Sequence, residues 1–413
     1  MELFSIIAIL ITLSALFGYA NHRFFKLPTT IGVMLISILM SLGMVILGNI
    51  GQTGLWIEKE WLSVVQRIDF NKTLMVGMLS FLLFAGSLHV DLNELTNQKW
   101  EVLIYATIGV IVSAFMIGSL MFYILGYLGL HLEFIYCLLF GALISPTDPI
   151  AVLGMLKKAG VSESLEIKIA GEALFNDGVG VVVFVTIWEI AFSGHKFSPG
   201  HIAHLFTEEV LGGIAVGLVF GWLAYKLLKS VDNYQVEILL TLALVMGVYA
   251  ISSKLNFSGP IAIVVAGLLI GNHGRHFAMS EKTRQNLDMF WELIDEILNS
   301  LLFVLIGIEL IIIRLSPGHI IAGMIAVVIV LFSRVVSIGV PQFLLSMRKK
   351  FDHTSLKIMI WGGLRGGISV ALALSLPGGG ERDLIITMTY VVVVFSILVQ
   401  GLTMKFVCTS TRV

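Results

Sequence analysis

Apolar runs of about 20 residues follow one another along nearly the whole chain, and few folds accommodate them. Where no water reaches the backbone, amides and carbonyls must find partners within their own segment, so such runs have to be helices. They fall at Phe4–Ala20, Pro28–Leu47, Leu74–Val90, Val102–Leu128, Phe134–Met155, Ile169–Phe192, Val210–Leu228, Val236–Ser252, Gly259–Ile270, Ile297–Ile313, Ile320–Leu345, Ile358–Leu376 and Leu384–Val407, about thirteen in all. Of the 413 residues, 57% are apolar and only 13% charged, more apolar surface than a soluble domain can bury. The expected fold class is an all-α polytopic membrane protein.

The first run follows an acidic Glu2 and lacks a small-residue cleavage site, so it reads as a true span rather than a signal peptide. Residues Gly51 to Phe70, with Trp56 and Trp61, read as an interfacial connection. Few residues follow the last run, so residues 1–413 read as a single transmembrane domain without a soluble regulatory domain. A net charge of −1 and the lack of a basic, aromatic-interleaved patch exclude nucleic acid as a partner. Cys137 and Cys408 lie in or beside apolar runs and read as small hydrophobes.

An odd number of spans puts the termini on opposite sides. One set of alternate connections holds about seventeen basic residues: Arg23, Lys26, Lys99, Lys157, Lys158, Lys168, Lys226, Lys229, Arg275, Lys282, Arg284, Arg348, Lys349, Lys350, Lys357, Lys405 and Arg412. The other holds about seven: Lys59, Arg67, Lys72, Lys196, Lys254, Arg314 and Arg382. The positive-inside rule then places the N-terminus outside and the C-terminus in the cytoplasm. Only Arg334 and Arg365 remain well inside runs; Arg334 either lines an inner cavity or reaches the interface. The polar stretch Asn272 to Asn299, with apolar residues interleaved, is expected to lie on the inner surface as an amphipathic helix.

Acid inside these runs calls for a function. Asp148 stands between Pro146 and Pro149, which remove amide donors and break the helix. Glu172 and Asp177 lie in the next run, and each charge at a helix centre costs about 2.5 to 3.5 kcal/mol. Counting about 1.5 Å per residue puts Asp148, Asp177 and Arg365 at a common depth. Glu172 is nearer the inside, where the long Arg365 side chain can lean to it, so a buried pair is expected. Glu172 and Asn176 share a helix face, with Asp177 beside them. The run WGGLRGGISVALALSL at Trp361 to Leu376 carries glycine pairs around Arg365 and mirrors the break at Thr147 and Asp148. These runs are fifth and twelfth, hence oppositely directed, the pattern of inverted repeats whose broken helices cross at an ion site.

The segments ISPTDPIAVL, GEALFNDGVGVVVF, GGLRGGISVALAL and LLFAGSLHVDL resemble the NhaP-type sodium/proton antiporters of the monovalent cation:proton antiporter superfamily. That resemblance implies an NhaA-like antiporter fold and a homodimer in a bacterial inner membrane. Core helices at about 102–192 and 320–407 would move against interface helices at about 4–90 and 210–313. It assigns Asp177 as the residue binding cation or proton, Thr147 as an oxygen donor to the monovalent cation, Asn176 as the partner of Asp177, and Asp148 to the helix crossing. Glu172 and Arg365 become the stabilising ion pair. Electrogenic relatives carry aspartate at the position of Asn176, so a single titrating carboxylate implies electroneutral exchange of sodium or lithium for protons, with no cofactor. Some relatives carry an acid at the position of Ala85 and a serine at that of Ala173, which leaves the choice among sodium, lithium and potassium open. Ser87, near Ala85, offers a substitute hydroxyl, whereas His22, His89 and Asp91 read as interface residues.

The residues support the same chemistry independently. A carboxylate in a water-poor cavity holds a proton near neutral pH and surrenders it to a hard cation. A gated cation channel is the competing class, but channels need a continuous polar path. A membrane aspartyl protease using Asp148 and Asp177 would leave Arg365 and the second break unexplained.

Overall fold

In the computed structural model, the described residues are 2–48, 73–149, 152–154, 156, 161–192, 199–310, 313, 316–346 and 353–410. The connection expected at Gly51 to Phe70 lies outside them, as do Lys72, Lys157, Lys158, Lys196, Arg314, Arg348, Lys349, Lys350 and Arg412 of the charge count. Among the described residues the chain is helical apart from turns and one isolated antiparallel bridge.

The first third contains α1 (Glu2–Ala20), α2 (Thr29–Gly48), α3 (Leu79–Leu88), the short α4 (Leu92–Asn97) and α5 (Lys99–Ile104), and α6 (Val110–Tyr127). Then come α7 (Phe134–Ile144), α8 (Glu163–Phe192), α9 (Pro199–Lys229), α10 (Tyr234–Lys254) and α11 (Gly259–Leu269). The last third holds α12 (Glu281–Glu309), α13 (Pro317–Ser346), α14 (His353–Trp361), α15 (Gly367–Ser375), α16 (Gly380–Phe395) and α17 (Gly401–Ser410). Eight helices among the described residues are long and apolar enough to cross a membrane, and the runs at Thr73–Leu88, Phe134–Ile144 and Gly259–Gly274 are shorter. Large apolar side chains such as Leu16, Val219, Trp222, Met246, Val328 and Phe332 point outward, as lipid rather than water demands.

Packing follows small residues and hydroxyls. At Gly141 of α7 a Cβ would lie 2.1 Å from the Ala114 carbonyl oxygen of α6, so only glycine permits this contact. The pair α6 and α7 packs in turn against α8, α13, α15 and α16. On the other side, α2 lies along α12, where Ser37 Oγ donates to the Val304 carbonyl (2.9 Å) and Ser41 Oγ to that of Gly307 (2.7 Å). Helices α3, α9, α10 and α11 share one apolar cluster that includes Trp291 of α12. Helix α8 touches both groups and α12 reaches α15, so the site lies between them.

The polar stretch at Asn272 to Asn299 is not a separate surface helix. Its second half is continuous with the run at Ile297–Ile313 in the 29-residue helix α12, because nothing between Glu281 and Glu309 stops a helix. Both expected breaks are present: α7 ends at Ile144 before Pro146, and α14 and α15 are separated at Gly362 to Gly366.

Candidate functional site

The backbone at the two breaks must find partners away from water. The Ser145 carbonyl, at the end of α7, would ordinarily accept from residue 149, but Pro149 has no N–H. Arg365 Nη1 fills that role, donating to the Ser145 carbonyl and to that of Pro146 (2.9 Å). A guanidinium there also meets the negative end of the half-helix. The extended stretches run antiparallel where they cross, the Asp148 N–H donating to the Leu364 carbonyl at 2.8 Å. In the second break the Arg365 N–H donates to Ser396 Oγ (2.9 Å), which in turn donates to Gln400 Oε1 (2.8 Å). Gln400 Nε2 then donates to the Trp361 carbonyl (3.0 Å) at the end of α14. A π-helical turn at Ser396–Gln400 thus carries the side chains that finish the second break.

Glycine at the crossing is a matter of room. At Gly366 a Cβ would fall 2.2 Å from Asp148 Oδ2, so the carboxylate occupies the space a side chain would take. At Gly180 it would fall 2.2 Å from Pro146 Cγ, which lets the unwound stretch lie against α8.

Asn176 faces Thr147 rather than Asp177. Its Nδ2 donates to Thr147 Oγ1 (2.7 Å) while its Oδ1 accepts from the Thr147 N–H (3.3 Å), both fully buried. This amide therefore clamps the unwound segment to α8. Asn176→Ala leaves the Thr147 N–H and hydroxyl unpaired at about 1 to 3 kcal/mol; chemical unfolding in detergent is expected to show that loss.

Asp177, one residue on, opens instead into a cavity of about 620 Å³. Thr147, Asp148, Ser369 and Gly366 also line it, with Leu302 and Gly367 closing that end. Ala85, Asp295, Glu292 and Asp288 line it too, and Glu292 is exposed. No cation or hydrogen-bond donor among the described residues pairs with the Asp177 carboxylate. Such a place suits a small hard cation, competing with a proton for one carboxylate and nearby hydroxyl and carbonyl oxygens. Ser87 is not there: it donates to the Phe84 carbonyl (2.9 Å) and packs over Gly267. His89, read as an interface residue, does line the cavity.

The expected pairing of Glu172 with Arg365 is replaced. Glu172 is held by both terminal nitrogens of Arg334, with Nη2 to Oε2 at 3.0 Å, and Arg334 Nη2 also donates to the Met359 carbonyl (3.1 Å). Arg365 is drawn to the Ser145 carbonyl that Pro149 orphans and to that of Pro146, and a bidentate guanidinium from α13 answers Glu172. Gly363 makes room for it, since a Cβ there would lie 2.5 Å from Arg334 Nε. Reasoning from the sequence found Arg334 inside its run but not its partner, and missed Ser369, Asp295 and the Ser396–Gln400 relay. A signal existed for the first two in their polarity beside apolar neighbours; the relay carries none.

A model of the family described as sodium/hydrogen exchanger, transmembrane, matches residues 11–410. The Na(+)/H(+) antiporter NhaP of Pseudomonas aeruginosa is 50% identical over 402 residues, covering 96% of this chain and 94% of its own. The Na(+)/H(+) antiporter NhaH of Halobacillus dabanensis is 34% identical over 358 residues, 84% of this chain and 85% of its own. In three dimensions the chain resembles the sodium proton antiporter MjNhaP1 from Methanocaldococcus jannaschii, with a TM-score of 0.77 over 99% of both chains at 19% identity, a likeness of fold. With two broken helices crossing beside a carboxylate that lines a cavity, the chain belongs to the sodium/hydrogen exchanger family.

Proposed function

We propose that this protein exchanges sodium or lithium for protons, one for one, by alternating access in a bacterial inner membrane. The observation that carries the reading is the Asp177 carboxylate, unpaired among the described residues at the closed end of a cavity that reaches the surface at Glu292. Charges around it support the stoichiometry. Glu172 and Arg334 neutralise each other and Arg365 Nη1 is held by backbone carbonyls, so neither guanidinium is hydrogen-bonded to Asp177, and its carboxylate is open to a proton or a monovalent cation. Either occupant makes the core neutral, and a neutral core crosses a low-dielectric barrier at far lower cost than a charged one.

In this reading Asp177 and Thr147 hold the cation, Asp148 sets the field at the crossing, and Asn176 fixes the unwound helix. The chain has thirteen spans built as inverted repeats, with the N-terminus outside and the C-terminus in the cytoplasm. Core helices at 102–192 and 320–407 move against interface helices at 4–90 and 210–313, the latter forming a homodimer. The exchanged ions are cargo, and no resident cofactor takes part. The cavity in this structure then opens to the cytoplasm, since the basic connections share its end of the bundle.

The test is proton movement in proteoliposomes with a preset pH gradient and membrane potential clamped at zero, on adding sodium, lithium or potassium. Proton flux driven by sodium or lithium is expected. Flux with potassium alone would make the protein a potassium/proton antiporter, and cation current without proton movement would make it a channel.

A further inference from the structure

Asp288, Glu292, Asp295 and Leu302 of α12 line the cavity. Their spacing of four, three and seven keeps them on one helix face. Continued in the same rhythm, that face carries Asn299, Ile306 and Glu309. Leu302 and Ile306 are buried, and a Cβ at Gly367 of α15 would lie 2.4 Å from Leu302 Cδ1, so α12 and α15 are in direct apolar contact at this level, a seal in this structure. Beyond this seal, 14 residues and about 21 Å along the helix from Asp295, lies Glu309, 8% exposed.

Two polar neighbours accompany Glu309. Arg382 of α16 lies within reach of its field and donates from Nη2 to the Leu374 carbonyl at the end of α15 (3.1 Å). Tyr390 of α16 also lies within its field, and its hydroxyl is buried without a partner. Arg382 Nε is buried and unpartnered too. A structural ion pair would close the contact, yet among the described residues no ion pair or hydrogen bond joins Glu309 to Arg382. Buried groups left so cost about 1 to 3 kcal/mol each unless another state of the protein satisfies them.

We propose that Glu309, with the Tyr390 hydroxyl, is the cation's waypoint at the end of the bundle opposite the present cavity, wetted when the core moves and the Leu302–Ile306 seal opens. Resting on the alternating-access reading, it gives α12 a symmetrical task. One stripe of the helix attracts a hydrated monovalent cation at either end, with acids at Asp288 and Glu292 on one side and Glu309 on the other. Apolar residues between them keep the two vestibules from joining.

The test uses the full chain in proteoliposomes of defined orientation, with sodium supplied from one side at a time. Glu309→Gln is expected to raise KM for sodium ~3- to 10-fold from the Glu309 side only, with the maximal rate and the opposite KM unchanged. Glu292→Gln is expected to show the mirror result. Equal changes from both sides, or a lower rate with an unchanged KM, would overturn the proposal and leave Glu309 a packing residue. A second measurement does not depend on transport: in a Cys137→Ser, Cys408→Ser background, Glu309→Cys is expected to react with a membrane-impermeant maleimide from that side alone. Absence of labelling in folded protein overturns the vestibule. A wild-type protein that carries current without proton movement overturns the antiport reading instead, while labelling still reports on Glu309.

Discussion

Asp177→Asn is expected to abolish cation-dependent proton movement in proteoliposomes while leaving the protein folded. The substitution keeps size and polarity but removes the carboxylate that is unpaired among the described residues at the closed end of the cavity. A unit charge about 4 Å from a monovalent cation contributes about 4 kcal/mol at an effective dielectric of 20. Cation affinity therefore falls about a thousandfold, and the proton site disappears outright. Because Asp177 loses no hydrogen bond or ion pair to the described residues, the unfolding midpoint in detergent stays near that of the wild type. A variant that still exchanged sodium for protons would move the site elsewhere along the cavity, with Asp295 as the next carboxylate to examine.

Glu172 and Arg334 give the second large effect, this time on stability. Removing either partner strands a buried charge at a cost of about 3 to 5 kcal/mol, whereas replacing both with apolar residues of similar size is nearly neutral. Glu172→Gln or Arg334→Met alone is expected to unfold much more readily in detergent, and Glu172→Met combined with Arg334→Met to recover most of the loss. The matching cycle between Glu172 and Arg365 is expected to show a coupling under about 1 kcal/mol, because Arg365 donates from Nη1 to the Ser145 and Pro146 carbonyls and makes no hydrogen bond to Glu172 among the described residues. Strong coupling in that second cycle would restore the pairing expected from the sequence.

These two results separate what each level of structure contributes. Helices, and the places where they break, were legible because their causes are local. Lipid forces apolar runs to satisfy their own backbone, Pro146 and Pro149 remove the donors that would continue α7, and glycines surround Arg365. The acids stood out for the same reason, since a charge in an apolar run costs too much to be accidental. Asp177 and Asp148, which the counting of residues put at one depth with Arg365, both line the cavity, while Arg365 does not. Two things the sequence could not supply. A guanidinium on a long, flexible stem reaches several acceptors, and only the packed positions of α7, α8 and α13 decided that Arg334, 162 residues from Glu172, takes the carboxylate while Arg365 takes the carbonyls. Likewise, helical spacing placed Asp288, Asp295 and Glu309 on one face of α12, but whether that face met lipid, water or another helix was settled by the approach of α15 at Gly367. Local chemistry determined where this chain bends and where it carries charge; long-range packing decided which of those charges are paired and which line the cavity.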